Sequence, residues 1–215
     1  MVKSLLITRP DHDCTTNYLS KWSEKIIKEG EDKGITVIDL DGDKANRDRV
    51  IGTLEKRSPG LVILNGHGNQ DCVRGHNNDV ILEANDKKAV KNKIIYARSC
   101  KSAKVLGEKT ISHGAQAYLG YDEDFIFMYS RDKVSKPLED KTATLFLEPS
   151  NQIPLPLLKN HCAGEADEKS KALFKKNIDK LLVEGPSSEH YRATGYLYWD
   201  MIHQVCLGNE EAAFI

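Results

Sequence analysis

His67 and Cys100 are the two residues whose types and positions could do covalent chemistry together. Each follows an apolar run. LVILN leads into Gly66-His67-Gly68, and KIIYA leads into Arg98-Ser99-Cys100. A thiol with its free pKa of about 8.5 is mostly protonated at neutral pH and attacks poorly. An imidazole within hydrogen-bond reach can take its proton or stabilise the thiolate. Adjacent strand ends lie about 4.8 Å apart, so side chains there can meet. Gly66 and Gly68 allow a tight turn and the close approach of a substrate backbone. The amides of Gly68 and Cys100 are candidate donors to an oxyanion. A helix starting after Cys100 would turn its positive end to the sulfur and lower its pKa.

The elements that must position these residues follow from the apolar periodicity. Strands are expected at residues 2–8, 35–40, 61–65, 93–97 and 115–121. Helices are expected at 15–29, 43–56 and 102–113. Residues 71–86 read as a hairpin turning at HNND, 148–157 as a Pro-rich loop, and 165–184 and 190–207 as long helices. Strands alternating with helices imply a mainly parallel α/β sheet with helices on both faces. Its continuous apolar strands suit burial on both sides. In such a sheet the ligand crevice lies at the carboxyl ends of the strands, near a topological switch point. His67 and Cys100 share that rim with Arg9, Asp122, Glu123 and Asp124. We expect one domain over residues 1–215, with a helical part at about 160–215.

The chain has 215 residues, 40% of them apolar, and a formal net charge of −1. That balance gives no reason to expect nucleic acid or a membrane as partner. No secretory signal or apolar span is legible, so a cytoplasmic location is the expectation. Five scattered cysteines suit reduced thiols better than a disulfide framework.

ILNGHGN followed by IIYARSCKS resembles the His-Gly and Cys blocks of the caspase-like (clan CD) cysteine peptidases. The stretch SCKSAKVLGEKTISHGAQAYLGYDED is similar to the gingipain and CHAT pattern, and the likeness covers about residues 1–125. The resemblance implies a three-layer caspase-like fold. It implies a cysteine endopeptidase with Cys100 as nucleophile, His67 as acid and base, and Gly68 in the oxyanion hole. It implies a peptide or protein substrate and no cofactor or metal. His67 and Cys100 are 33 positions apart, against about 50 in caspases. The Cys block lacks the Gln-Ala-Cys of caspases, and both departures point to the gingipain-like branch. For the P1 side chain the resemblance pulls two ways. Arg98 and Arg9 stand where such enzymes line the S1 pocket and would favour an acidic P1. Asp122 and Asp124 stand where separase carries an acid and would favour a basic one, the preference of the nearer relatives.

Plainer readings accompany these. Cys100 alone could be a core thiol, and the acidic turn at 122–124 a solvated loop. His67, Cys72 and His76 could hold a metal, but a hairpin explains Cys72 and His76 better. Cys14, Cys162 and Cys206 read as structural, Cys206 on the apolar face of the last helix with Ile202 and Tyr198. Tyr196, Tyr198 and Trp199 read as packing for that helix. The rival functions are a non-catalytic interaction module of the same fold and amide hydrolysis on a small substrate. The latter ranks last, because glutaminases place the His after the Cys.

Overall fold

The computed structural model describes residues 3–215; Met1 and Val2, in the expected first strand, lie outside them. The chain opens with β1 (Ser4–Arg9), α1 (Cys14–Asp32), β2 (Thr36–Asp41), α2 (Arg47–Lys56) and β3 (Leu61–Asn65). A short antiparallel sheet follows: β4 (His67–Gly68), β5 (Cys72–Arg74) and β6 (Val80–Glu83). Then come α3 (Lys87–Val90), β7 (Ile94–Arg98), a π-helical turn (Ala103–Gly107), α4 (Glu108–Ser112) and β8 (Ala117–Tyr121). The chain ends with α5 (Lys141–Asn151), α6 (Pro154–Leu157), α7 (Ala163–Glu184), α8 (Ala193–His203) and β9 (Gln204–Gly208).

The main sheet has the order β2-β1-β3-β7-β8-β9. Its first five strands are parallel, and β9 runs antiparallel to β8. Strand periodicity of two sorts the core into halves. Leu5, Ile7, Leu61, Ile63, Ile94, Tyr96 and Leu119 pack one way, with residues of α1, α5 and α6 and the start of α7. Leu6, Val62, Leu64, Ile95, Ala97 and Tyr118 pack the other way, with residues of α2, α3 and the β5–β6 hairpin. The result is the three-layer, mainly parallel α/β architecture expected. Because β3, β7 and β8 are buried on both faces, only their ends can carry a site.

The structure corrects several expected elements. Residues 148–157 are not a loop. Helix α5 begins upstream, where Asp140 caps it by accepting from the Thr142 and Ala143 amides. It runs through Pro149 in its last turns, and Pro154 sits in the first turn of α6, where its missing N–H costs little. The last expected helix stops at His203. Gln204–Gly208 is a strand, with Val205 and Leu207 packing on one core half and Cys206 on the other. Cys206 is thus a strand residue, and burial pushes its thiol up to about 12. Tyr198 and Ile202, expected to pack inward, are exposed; Ala193, Leu197 and Asp200 form the buried face of α8. Residues 42–44 form a 3-10 turn before α2, whose cap is Asn46. Among the described residues no helix is long and apolar enough to cross a membrane.

Arg98 ties the layers together. It is fully buried. Its guanidinium donates to Asn65 Oδ1, Ser150 Oγ and Asn151 Oδ1, each at 3.0 Å, and to Ser23 Oγ at 3.2 Å. Burial pulls its pKa down. Arg98→Ala orphans several buried acceptors at once, each worth about 1–3 kcal/mol. We expect urea unfolding to show a loss of about 3 kcal/mol or more. An unchanged midpoint would mean that the network holds nothing.

Candidate active site

The strand order puts four chain segments side by side on one rim. They follow the carboxyl ends of β1, β3, β7 and β8, neighbours in the sheet in that order. The chain reverses its direction of travel between β1 and β3, which makes this the switch-point crevice.

His67 leaves the end of β3 and is held from two sides. It pairs with Arg74 in β4–β5, and its carbonyl accepts from Ser99 Oγ at 2.9 Å. β3 and β7 run in register through Asn65 and Arg98, so His67 and Cys100 each lie two residues past a paired position. Gly68 shows how closely the two segments approach. A Cβ there would come 2.0 Å from Ser99 Oγ, 2.8 Å from the Cys72 carbonyl and 3.2 Å from the Cys100 carbonyl. Only glycine fits.

The imidazole has a carboxylate partner that the sequence reading missed. Asp13 Oδ2 lies 2.6 Å from His67 Nε2. The other oxygen, Oδ1, accepts from the Thr16 amide at 2.8 Å and from the Thr16 hydroxyl at 2.9 Å, closing a capping box at the start of α1. Helix capping thus fixes one oxygen and aims the other at His67. Burial alone would raise the Asp13 pKa, but the Thr16 amide and His67 together outweigh it and bring it down to about 2. The carboxylate therefore stays charged until the pH falls through about 2. Its stabilising contribution, complete above the usual carboxylate range, is lost only below that range.

Cys100 is partly buried. Its thiol points 3.7 Å from the Phe125 carbonyl, in the segment after β8. Lys101 follows with φ +57, a left-handed conformation costing about 1–2 kcal/mol in a non-glycine residue. Its amide donates to the Glu123 carbonyl at 2.9 Å. The chain therefore turns sharply just past the sulfur. The expected helix dipole is absent: residues 103–107 form a single π turn, and α4 starts only at Glu108. Burial, assisted by Asp124 and Asp200, instead raises the thiol pKa, partly offset by the Phe125 contact. Burial favours the neutral form, so the thiolate appears only at higher pH. Iodoacetamide alkylation of Cys100 in the free protein should therefore show a midpoint above the ordinary value of about 8.5. A midpoint below it would overturn this account of the thiol.

The expected specificity residues separate. Arg98 is a core residue and reaches no pocket. Arg9 is bound through Nε and Nη2 to Asp39, at 2.8 and 2.6 Å, so its guanidinium is committed to β2. Both expected S1 arginines are corrected on this ground. Glu123 and Asp124 lie beside Cys100, and Asp122 precedes them just past the end of β8. Asp122 meets His203 Nδ1 at 2.8 Å, Asp124 meets Lys101 at 3.4 Å, and Glu123 meets Lys104. Next to them a cleft of about 280 Å³ is lined by Ile126, Gly195, Tyr196 and Trp199. Trp199 donates to the Asp124 carbonyl at 2.9 Å. Behind it lies Asp200, fully buried. Its Oδ1 accepts from the Ile126 amide at 3.0 Å, its Oδ2 has no partner, and burial raises its pKa well above the usual range. The Cys72–His76–His67 metal set does not assemble: Cys72 is buried and bonded to Asn69. The imidazoles near His67 are His12 and, beyond it, His76.

No family model matches this chain, and no curated protein does. Solved structures do. The Arg-specific cysteine proteinase gingipain R superposes with a TM-score of 0.64 at 11% identity, covering 98% of this chain and 47% of that one. A complex of the Porphyromonas gingivalis RgpB pro- and mature domains superposes at 0.61 and 10% identity, covering 97% and 47%. The chain has the caspase-like fold of gingipain R. It spans about half the length of the gingipain chains that it matches.

Proposed function

We propose that the protein is a cysteine endopeptidase that uses Cys100 as nucleophile and His67 as acid and base, and that it cuts after a basic residue. The observation that carries this reading is the Asp13–His67 contact on the rim shared with Cys100. A carboxylate on Nε2 fixes the imidazole's tautomer and orientation. Nδ1 is then the nitrogen that would take the thiol proton.

In this mechanism the sulfur attacks the scissile carbonyl while His67 takes the thiol proton. The thiol is not ionised beforehand, so proton transfer accompanies attack. The carbonyl becomes an oxyanion beside the Gly68 and Cys100 amides. His67 returns the proton to the leaving amine as the C–N bond breaks, leaving a thioester. A water, deprotonated by His67, then hydrolyses the thioester and restores the thiol. The chain's own side chains suffice, with no cofactor. The preference for a basic P1 rests on the acidic turn at Asp122–Asp124 beside the cleft. The neighbour of the same fold is named as Arg-specific, which agrees.

A positional scanning library of fluorogenic peptides, run with wild type and Cys100→Ser, tests the reading. Cleavage after Lys or Arg by wild type alone is the expected result. Cleavage by neither, or equally by both, would reject it. The raised thiol pKa favours a second reading, an interaction module of the same fold. That module would leave every peptide uncut.

A further inference from the structure

The residues after β1 do more than orient His67. His12, Asp13 and His67 each offer a ligand atom, and the three lie within 4.8 Å of one another. His67 Nε2 is 2.6 Å from Asp13 Oδ2, and His12 Nε2 is 3.7 Å from the same oxygen. Two imidazoles and one carboxylate are a three-ligand set that zinc accepts, with bonds of about 2.0–2.2 Å and a fourth position left open. Ligand atoms around such an ion sit somewhat over 3 Å apart, so the ion would part the His67–Asp13 pair slightly and draw His12 inward.

Two further observations point to a ligand rather than to chance proximity. Both ring nitrogens of His12 are buried without a hydrogen-bond partner; His76, whose ring stands 5.3 Å from that of His12, has its Nδ1 3.3 Å from Asp11 Oδ1. A buried imidazole with two idle nitrogens costs free energy that a bound cation would recover. Asp13 is already anchored through Oδ1 by the Thr16 amide and hydroxyl, the outer support that ligating carboxylates have. No thiol is in the set, so the ligands are insensitive to oxidation.

We propose that His12, Asp13 and His67 form a binding site for a divalent transition-metal ion of the zinc type, and that filling it silences Cys100. The ion takes the place of the proton on His67 Nε2, and that proton passes to Nδ1, so the ligand stays a neutral imidazole whose second nitrogen is already protonated. His67 bound to a cation no longer takes a proton from the thiol. The silencing rests on the proposed peptidase reading; the metal site itself does not.

Titration calorimetry of the full chain with zinc, and absorption spectra with cobalt, read binding without any assay of activity. We expect one ion per chain and a tetrahedral cobalt spectrum with no thiolate charge-transfer band. His12→Ala and the bulkier His12→Gln should each weaken zinc binding by about tenfold or more, at least what losing an outer partner of a ligand costs. Both should keep wild-type peptidase activity in chelator. Zinc should inhibit wild type reversibly and spare both variants. No binding, binding unchanged by either variant, or a thiolate band would overturn the site. Zinc bound without loss of peptidase activity would overturn the silencing. A chain that binds zinc through His12 but cuts no peptide would uphold the site and reject the peptidase reading.

Discussion

Cys100→Ala should abolish peptide cleavage and leave the fold intact. The mechanism passes every substrate through a bond to this sulfur, so nothing in the site substitutes for it. Removing a catalytic nucleophile costs about 10⁶-fold in kcat where this has been dissected. The side chain is only partly buried, and its hydrogen bond is a weak 3.7 Å approach to the Phe125 carbonyl. Truncation therefore costs little packing, and the circular dichroism and thermal melt should match wild type. A folded variant that still cuts at the wild-type rate would remove Cys100 from the chemistry.

Asp13→Asn should lower kcat by about 10²- to 10⁴-fold, the range between loss of one proton-transfer partner and a full tautomer reversal. Asn caps helices about as well as Asp, so the Thr16 contacts and α1 should survive. The position facing His67 changes character. An amide donating to Nε2 forces the ring proton onto Nδ1, the nitrogen that must receive the thiol proton. A drop in kcat with unchanged KM and an unchanged melting temperature is the expected pattern. A parallel fall in stability would instead mark Asp13 as a capping residue alone. Its carboxylate stays charged until about pH 2, so the wild-type acid limb should not titrate with Asp13.

Some of this architecture is legible in the residues, and some is not, for physical reasons. The runs LVILN and IIYAR are buried throughout, and continuous apolar runs in alternating α/β order are what parallel strands produce. That order alone sets His67 and Cys100 on one rim. Asp13 escaped notice because PDHD reads as a turn; its signal was the Thr three residues later, which completes a helix cap. Arg98 looked like a pocket wall because it lies two residues before Cys100. The strand period of two places it instead on the face of Tyr96, beneath α5. β9 was hidden because five residues directly after a helix continue its apolar pattern too briefly to reveal a change of period. The helix expected after Cys100 was right in place but wrong in effect, since the chain spends its first turn as a π turn and burial governs the sulfur.

The most direct measurement is covalent capture. An acyloxymethyl ketone peptide with Lys or Arg at P1 is incubated with wild type and with His67→Ala, in chelator, and the adducts are mapped by mass spectrometry. The account predicts one adduct, on Cys100, formed by wild type and lost with His67→Ala. Equal capture by both proteins, or an adduct on Cys14 or Cys162 instead, would contradict it.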